Sequence, residues 1–237
     1  MKKFWAIDDQ SVESIHSDND CEQHFRETVE RTADDSYVVR LPFRKEINAL
    51  GISRPQAERR FYQLERRLDQ NPEMKKQQFN DEAKSRFDGS SKSSSGHSLN
   101  DLMMIGPPVQ DTLFEILLRF RMHQYVFTAN VPKMYRQVRV SNNDTKFQRI
   151  LWRDDRSKPL QEIKLLTVAY GTVAAPFLVT RVLNQLAVDE QEIHPEASKV
   201  LLKCVYVDDV LSGADTIEKA RELQNETEAL LANTPLK

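Results

Sequence analysis

The sequence predicts an α+β fold in which a small, mostly antiparallel sheet is covered by helices. Three observations support this prediction. In the second half of the 237-residue chain, short apolar runs alternate with segments whose apolar residues recur at helical spacing. The apolar runs are bounded by polar and turn-forming residues, as strands with short connections are. Gly is scarce at 6 and Pro is ordinary at 10, which excludes a fibrous chain.

The first half of the chain is predicted to contribute helices, one strand and a loop. A short helix is expected near Glu22–Arg31, and a strand is expected over residues 36–43. Residues 53–55 (Ser-Arg-Pro) have the form of a helix start with Pro in the first turn, so a charged helix is expected from there to about Lys84. Residues 89–96 are rich in Ser and Gly and predict a loop.

The second half predicts alternating helices and strands. Strands are predicted at Tyr125–Ala129, Phe147–Trp152, Ile163–Val168 and Lys199–Val207, and helices at Asp111–His123, Ala175–Leu186 and from Asp215 onward. The last helix is expected to begin with a cap at residues 215–218 and to bury one side, formed by Ala220, Leu223, Thr227 and Leu230.

Two adjacent carboxylates, Asp208 and Asp209, are the most informative feature of the second half. An apolar run precedes them and Val210-Leu211 follows, so the pattern predicts a strand, a tight turn and a strand with both acids at the tip. Adjacent carboxylates repel each other, and oxygen ligands of this kind suit Mg²⁺ or Mn²⁺. The pattern therefore favours metal-assisted phosphoryl transfer, which requires a third carboxylate on a neighbouring strand. The residue that ends the predicted strand at 125–129 is Asn130, whose amide carries no negative charge.

A net charge of −2 hides a basic stretch between Leu118 and Lys158. Ten basic residues occur there with only three acidic ones, an excess of +7. The basic residues are Arg119, Arg121, Lys133, Arg136, Arg139, Lys146, Arg149, Arg153, Arg156 and Lys158. Such an excess suits a polyanion, although scattered, solvated surface charge explains it almost as well.

The composition also indicates a compartment. No apolar run approaches the roughly 20 residues that cross a bilayer, and residues 1–9 turn acidic too early for a signal peptide. Cys21 and Cys204 are too few for a disulfide framework or a zinc site, and Cys204 is expected in the core, on a strand. We therefore expect an intracellular, cytoplasmic protein with no membrane partner.

Six segments of the sequence carry a resemblance when they are taken together. Tyr206-Val207-Asp208-Asp209 has the form Y-x-D-D, and residues 127–138 have the form of a first catalytic box usually written T-A-D-I-E-K-M-[YF]-R-Q. Asp144 and residues 147–153 match the run that follows this box. Residues 167–178 contain Gly and Ala-Pro elements, residues 98–107 resemble the segment upstream, and Phe4–Ile7 has the form F-W-x-I. In this order and spacing, the segments resemble the reverse transcriptase of retrotransposon polyproteins, most closely that of the BEL/Pao group.

The resemblance implies the fingers-palm part of a right-hand polymerase, with an antiparallel palm sheet covered by helices and no thumb. Residues 1–52 would form the entry segment and first strand, residues 53–123 shortened fingers with the Ser-rich loop, and residues 124–237 the palm. The family's enzymes are RNA-directed DNA polymerases, which add nucleotides to a primer 3′-OH with two Mg²⁺ or Mn²⁺ ions. The implied partners are an RNA/DNA template-primer, dNTPs and the protease, RNase H and integrase of a polyprotein.

The resemblance also assigns roles to six residues. Asp208 and Asp209 would be catalytic acids and metal ligands, Asn130 stands at the position of the first catalytic Asp, Tyr135 would exclude the 2′-hydroxyl, and Tyr170 and Gly171 would border the incoming nucleotide. For Tyr135 and Tyr170 plain core packing is the alternative, and for the two acids it is a solvent-exposed turn.

The positions at which this sequence differs from the family's pattern predict that the chain is an inactive or weakened enzyme. Asn130 removes a metal carboxylate and Pro132 replaces a usual Glu. The fingers segment before Arg86 is short, and Lys84 or Arg86 is the candidate for one triphosphate contact. One alternative is a non-enzymatic nucleic-acid-binding remnant that uses the basic 118–158 region. Another is the product of a decaying element that does not fold stably.

Overall fold

A computed structural model describes residues 12–44, 46–70, 87–153 and 155–233. In these ranges the chain has an α+β fold, as the sequence predicts, with small mixed sheets and helices around one core. The helices are α1 (Val12–Thr28), α2 (Arg54–Gln70), α3 (Leu113–Phe120), α4 (Met134–Gln137), α5 (Ala175–Asp189), α6 (Pro195–Lys203) and α7 (Ile217–Asn233). The strands are β1 (Glu30–Arg31), β2 (Tyr37–Val39), β3 (Tyr125–Asn130), β4 (Arg139–Val140), β5 (Arg149–Trp152), β6 (Gln161–Lys164), β7 (Val205–Tyr206) and β8 (Asp209–Ala214).

The described strands form three small sheets rather than the single sheet predicted. One sheet has the order β1-β2-β4, in which β2 and β4 are parallel. A second, with the order β3-β8-β7, is antiparallel throughout. The third is the antiparallel pair of β5 and β6. The predominance of antiparallel pairing is therefore as predicted, and the second sheet is the one that carries the paired acids.

Helix α5 lies at the centre of the hydrophobic core. Nine of its 15 residues are buried, and Val179, Val182 and Leu186 are completely enclosed. Pro176 lies in its first turn, where a missing backbone N–H costs no hydrogen bond. Helix α6 packs against α5 and α7, so the three helices form a layer next to the β3-β8-β7 sheet.

The predicted helices of the second half are confirmed, with small changes in their bounds. Helix α3 begins at a capping box, in which Glu115 N donates to Thr112 Oγ1 (3.4 Å) and Thr112 N donates to Glu115 Oε2 (2.9 Å). Helix α7 begins after Thr216, whose Oγ1 accepts from Lys219 N (3.3 Å). As predicted, α7 buries Ala220, Thr227 and Leu230, with Leu223 partly buried beside them.

The predicted strand over Lys199–Val207 is wrong for most of its length. Residues 195–203 form helix α6, and only Val205–Tyr206 are extended. Pro195 favours a helix start, and Ala197, Val200 and Leu201 have the i, i+3, i+4 spacing of one helical face. Cys204 accordingly lies at the end of a helix and is partly buried against the core. Burial raises the pKa of its thiol, which keeps it in the unreactive protonated form.

Other predicted elements are shifted or shortened. Helix α1 replaces the short helix predicted near 22–31, because residues 30–31 pair as a strand. The strand predicted over 36–43 is limited to Tyr37–Val39. The strand predicted over Ile163–Val168 is β6 instead, and all four of its residues are exposed. The strand predicted from Phe147 begins at Arg149, after a 3₁₀ turn at 145–147.

Two further predictions concern the first half of the chain, where a charged helix and a Ser-rich loop are expected. Helix α2 is confirmed from Arg54 to Gln70, while Lys84 and Arg86 lie outside the described residues, as does the segment Phe4–Ile7. The loop over 89–96 is confirmed, and its serines bind a second loop. Gly51 N donates to Ser93 Oγ (3.0 Å), and Ile52 N donates to Ser94 Oγ (2.9 Å).

Within the described ranges, every helix falls short of the length or apolarity needed to span a bilayer.

Candidate active site

The candidate site consists of the six residues that the sequence singled out: Asn130, Tyr135, Tyr170, Gly171, Asp208 and Asp209. Asn130 ends β3 and Asp209 begins β8, and the register of these antiparallel strands makes the two residues direct partners. Asn130 Nδ2 donates a hydrogen bond to Asp209 Oδ1 (3.3 Å). Val131 N donates to the carbonyl oxygen of Asp208 (2.8 Å), which ties the end of β3 to the turn. Asn130 and Asp209, which are 79 positions apart in the sequence, thus lie side by side where the two paired strands end.

The two acids lie on a tight β-hairpin. Tyr206 of β7 pairs with Asp209 of β8, so the loop between the strands contains only Val207 and Asp208. This is the predicted strand, turn and strand, although β7 has only two residues. Val207 has a φ of +56°, in the left-handed region that β-branched residues avoid. Such a conformation costs on the order of 1–3 kcal/mol and persists only where the surroundings enforce it.

Gln110 binds the backbone of this loop, and sequence reasoning missed it. Its Oε1 accepts from Val207 N (2.8 Å), and its Nε2 donates to the Val207 carbonyl (3.3 Å). Gln110 lies between a Pro-rich stretch and helix α3, and nothing in its spacing sets it apart from other exposed glutamines. Its position three residues after the segment 98–107, which resembles a segment of the family, is the one signal in the sequence that points to it.

The two tyrosines of the candidate site are stacked. Their ring centroids lie 4.2 Å apart with the planes tilted by 30°. Tyr135 comes from the short helix α4 and packs partly against the core, while Tyr170 is 56% exposed. Burial raises the pKa of the Tyr135 phenol, and the neighbouring Tyr170 and the negative charge of Asp208 raise it further. Asp208 is thus one of the groups whose charge acts on the Tyr135 phenol.

Gly171 holds the loop after Tyr170 in a conformation that requires glycine. Its φ is +97°, and a Cβ at this position would lie 2.6 Å from the carbonyl oxygen of Phe87. Asn100 fixes the same loop from the other side. Its Nδ2 donates to the Gly171 carbonyl (3.0 Å), and its Oδ1 accepts from Val173 N (3.1 Å). The sequence had marked Asn100 only as part of a resembling segment.

The donor atoms of the site do not fit two metal ions. Two carboxylates are present, Asp208 and Asp209, and the third position offers the neutral amide of Asn130, which already donates to Asp209. In the part of the chain that the structure describes, no three His, Cys, Asp or Glu side chains are grouped so as to hold a metal ion. Two carboxylates can hold one Mg²⁺ together with waters and phosphates. A clamp of two ions about 3.5–4 Å apart needs more negative charge than these residues supply.

The basic stretch at 118–158 is less available to a polyanion than its sequence suggests. At least five of its ten cationic side chains form ion pairs with carboxylates from outside the stretch. The pairs are Arg119–Asp111, Arg139–Asp34, Arg149–Glu162, Arg153–Glu65 and Arg156–Asp69. Arg153 is the most strongly held, because its Nε and Nη2 donate to both Glu65 oxygens (2.7 and 2.5 Å). The local excess of positive charge is therefore largely offset.

Comparisons with known proteins add a structural likeness. No protein-family model and no curated protein matches the chain. The fold is similar to part of a foamy viral protease-reverse transcriptase whose structure was solved in complex with an RNA/DNA hybrid, with a TM-score of 0.45 and 14% sequence identity. The match covers 58% of this chain and 16% of that one. A likeness at this level concerns the fold alone, and the BEL/Pao assignment stays a prediction.

Proposed function

We propose that this chain is the palm region of a reverse-transcriptase-like nucleotidyltransferase whose catalysis is lost or strongly weakened by Asn130. The observation that carries the proposal is the pairing of Asn130 with Asp209, next to Asp208 at the hairpin tip. Residues from two separate sequence boxes thereby occupy one edge of one sheet, where a polymerase of the predicted kind would need them.

The expected loss of activity follows from charge. Phosphoryl transfer depends on positioning and on the stabilisation of negative charge by metal ions, which three carboxylates would hold. With Asn130 in place of the first acid, two carboxylates are left for that task. Even partners that only orient metal ligands contribute about 10–100-fold to affinity or activity. We therefore expect a direct ligand position to matter more, and the chain to incorporate nucleotides poorly or not at all.

The stacked tyrosines supply the proposed nucleotide-binding side of the site. The Tyr135 ring would lie against the sugar and leave no space for a 2′-hydroxyl, which favours deoxynucleotides. Tyr170 and Gly171 would border the base and the template, since Tyr170 is exposed and the left-handed Gly171 brings backbone to the surface without a side chain. Helix α4, the loop that carries Tyr170 and Gly171, and the hairpin together form the proposed binding surface for dNTP and primer-template.

A primer-extension assay tests the proposal. The parent chain is incubated with a DNA primer on an RNA template, dNTPs and either Mg²⁺ or Mn²⁺, beside an Asn130→Asp variant. We expect background incorporation by the parent and detectable, though not full, incorporation by Asn130→Asp. The matched control is the double variant Asn130→Asp/Asp208→Asn, which should return to background. Robust incorporation by the parent would contradict the loss of activity, and an inactive Asn130→Asp variant that also fails to bind the hybrid would contradict the polymerase assignment.

The non-enzymatic alternative, binding through residues 118–158, makes a different prediction. A surface that neutralises several phosphates loses affinity steeply with salt, with a slope near −0.7 per contact for single strands. Because at least five of the ten cations are already paired, we expect a shallow slope for single-stranded RNA. A steep slope that is abolished by neutralising Arg121, Lys133 and Lys146, with no effect of Asp208→Asn, would favour this alternative.

A further inference from the structure

The loop of the acidic hairpin can exist in two forms, and the structure selects one of them. A two-residue hairpin loop takes either a form with positive φ at both loop residues or a form with positive φ at the first alone. Val207 has a φ of +56°, whereas Asp208 does not have a positive φ. The loop is therefore of the second form, for which glycine is the usual first residue. Valine is a poor choice there, so something outside the loop must favour this form.

The two forms differ mainly in the orientation of the peptide group that joins Val207 to Asp208. Aspartate tolerates a positive φ better than most residues, so the other form is accessible to Asp208. A flip of this peptide would rotate the Asp208 backbone and change the direction of its side chain. The orientation of the Val207 carbonyl thus decides where the Asp208 carboxylate lies relative to Asn130.

Gln110 contacts the groups whose orientation matters. Its Nε2 donates to the Val207 carbonyl, and its Oε1 accepts from Val207 N, so one carboxamide holds both sides of the strained residue. Val207 is 40% exposed, so water would satisfy these groups if Gln110 were absent. Loss of Gln110 therefore leaves no buried unpaired group, and its effect should fall on the conformation of the loop rather than on the stability of the fold.

We infer that Gln110 is a positioning residue that fixes the peptide between Val207 and Asp208 and thereby aims the Asp208 carboxylate at the candidate site. The inference rests on the proposed function only in taking Asp208 as an acid of that site. Gln110 would fix the conformation of the hairpin loop whatever the function of the site. It also explains how a β-branched residue is retained in a left-handed conformation at the tip of a two-residue loop.

Two variants separate the two hydrogen bonds. Gln110→Ala removes both, whereas Gln110→Glu can still accept from Val207 N but cannot donate to the Val207 carbonyl. Nuclear magnetic resonance of ¹⁵N-labelled protein reports the φ-dependent scalar couplings of Val207 and Asp208 and the exchange rate of the Val207 amide. Gln224→Ala is the matched control, because Gln224 donates to Glu228 on helix α7, away from the hairpin.

We expect the Asp208 coupling to change in Gln110→Ala and in Gln110→Glu. Exchange of the Val207 amide should accelerate about five- to tenfold in Gln110→Ala alone, which is the effect of one lost hydrogen bond. Adding Val207→Gly to Gln110→Ala should restore the parent Asp208 coupling, because glycine is the usual first residue of the loop form with a positive φ at that residue alone.

Unchanged couplings at both loop residues in Gln110→Ala and Gln110→Glu would overturn the inference. All of these readouts are made without metal, nucleotide or primer. A failure of the chain to bind an RNA/DNA hybrid would count against the proposed function and would leave the result on the loop intact.

Discussion

Helix α5 and the candidate site are close in sequence, but different interactions hold them in place. The helix begins four residues after Gly171 and buries nine of its 15 residues in the core. The site, by contrast, is held mainly by hydrogen bonds from Asn100 and Gln110 to exposed backbone. Of its polar members, Asn130 and Asp209 are exposed. The buried helix α5 therefore contributes more to the stability of the fold than the candidate site does, and residues of the site can be substituted without unfolding the chain.

The largest expected effect comes from the core. Leu186→Ala should lower the free energy of unfolding by about 2–5 kcal/mol, because Leu186 is fully buried and its removal leaves a cavity. The matched control is Leu118→Ala on helix α3, where the side chain is 51% exposed, and we expect a change within about 0.5 kcal/mol. Urea unfolding followed by circular dichroism measures both. Equal losses in the two variants would mean that the core is not where the structure locates it.

The same substitution at two aspartates gives a sharper comparison. Asp144 is buried and accepts from Arg40 Nε (2.8 Å) and Leu41 N (3.0 Å). Asp144→Asn should cost about 2 kcal/mol, since the amide removes the charge and directs a donor group at other donors. Asp209→Asn, at the exposed candidate site, should change the free energy of unfolding by less than about 0.5 kcal/mol. Thermal and chemical unfolding measure both variants. A larger loss of stability in Asp209→Asn than in Asp144→Asn would contradict this expectation.

Strain at the hairpin predicts a substitution that stabilises the protein. Val207→Gly should raise the free energy of unfolding by about 1 kcal/mol, because glycine removes the cost of the left-handed conformation. Val126→Gly on β3 is the control, since Val126 is a 50% exposed strand residue without a positive φ. That variant should lose about 0.5–1 kcal/mol. A loss of stability in Val207→Gly would show that Val207 makes contacts that outweigh its strain.

The smallest expected effect is electrostatic. The pKa of Tyr135 is raised by burial first, and then by Tyr170 and by the charge of Asp208. Asp208→Asn should therefore lower the Tyr135 pKa, which should still lie above the ordinary value of 10.0 because burial persists. A raised phenol pKa stabilises the fold below the unfolded value, and this contribution disappears as the pH rises through the folded value. Titration of ¹³C-labelled tyrosine in chelator-treated buffer measures the shift, with Tyr135→Phe to assign the signal.

Much of this organisation could be predicted from the sequence where a pattern is periodic. The apolar spacing of α5 and α7 and the strand at β3 indicated the correct elements, because burial of one face dictates those periods. Helix α6 was mistaken for a strand, because a short continuous apolar run such as Val200–Leu202 does not distinguish a buried strand from a helix. That Asn130 would lie near Asp208 and Asp209 was predicted from the end of the strand at 125–129, and the register that pairs Asn130 with Asp209 came only from the fold.

The residues that support the site could not be predicted in the same way. Gln110 and Asn100 act through single side chains on the backbone of distant loops, and such contacts leave no period in the sequence. The ion pairs of the basic stretch were equally hidden, because the partners of Arg139 and Arg153 lie 105 and 88 residues away. Charge counted along the sequence overstated the basic surface for that reason.

Manganese binding tests the central claim most directly. Electron paramagnetic resonance of Mn²⁺ titrated into the parent, into Asn130→Asp and into Asp208→Asn measures how the acids cooperate, without requiring any catalysis. One added carboxylate about 4 Å from a divalent ion contributes about 2 kcal/mol even in water. We therefore predict weak binding by the parent, binding at least about tenfold tighter by Asn130→Asp, and weaker binding by Asp208→Asn. Identical affinities in all three proteins would contradict the claim that Asn130 occupies the position of a missing metal carboxylate.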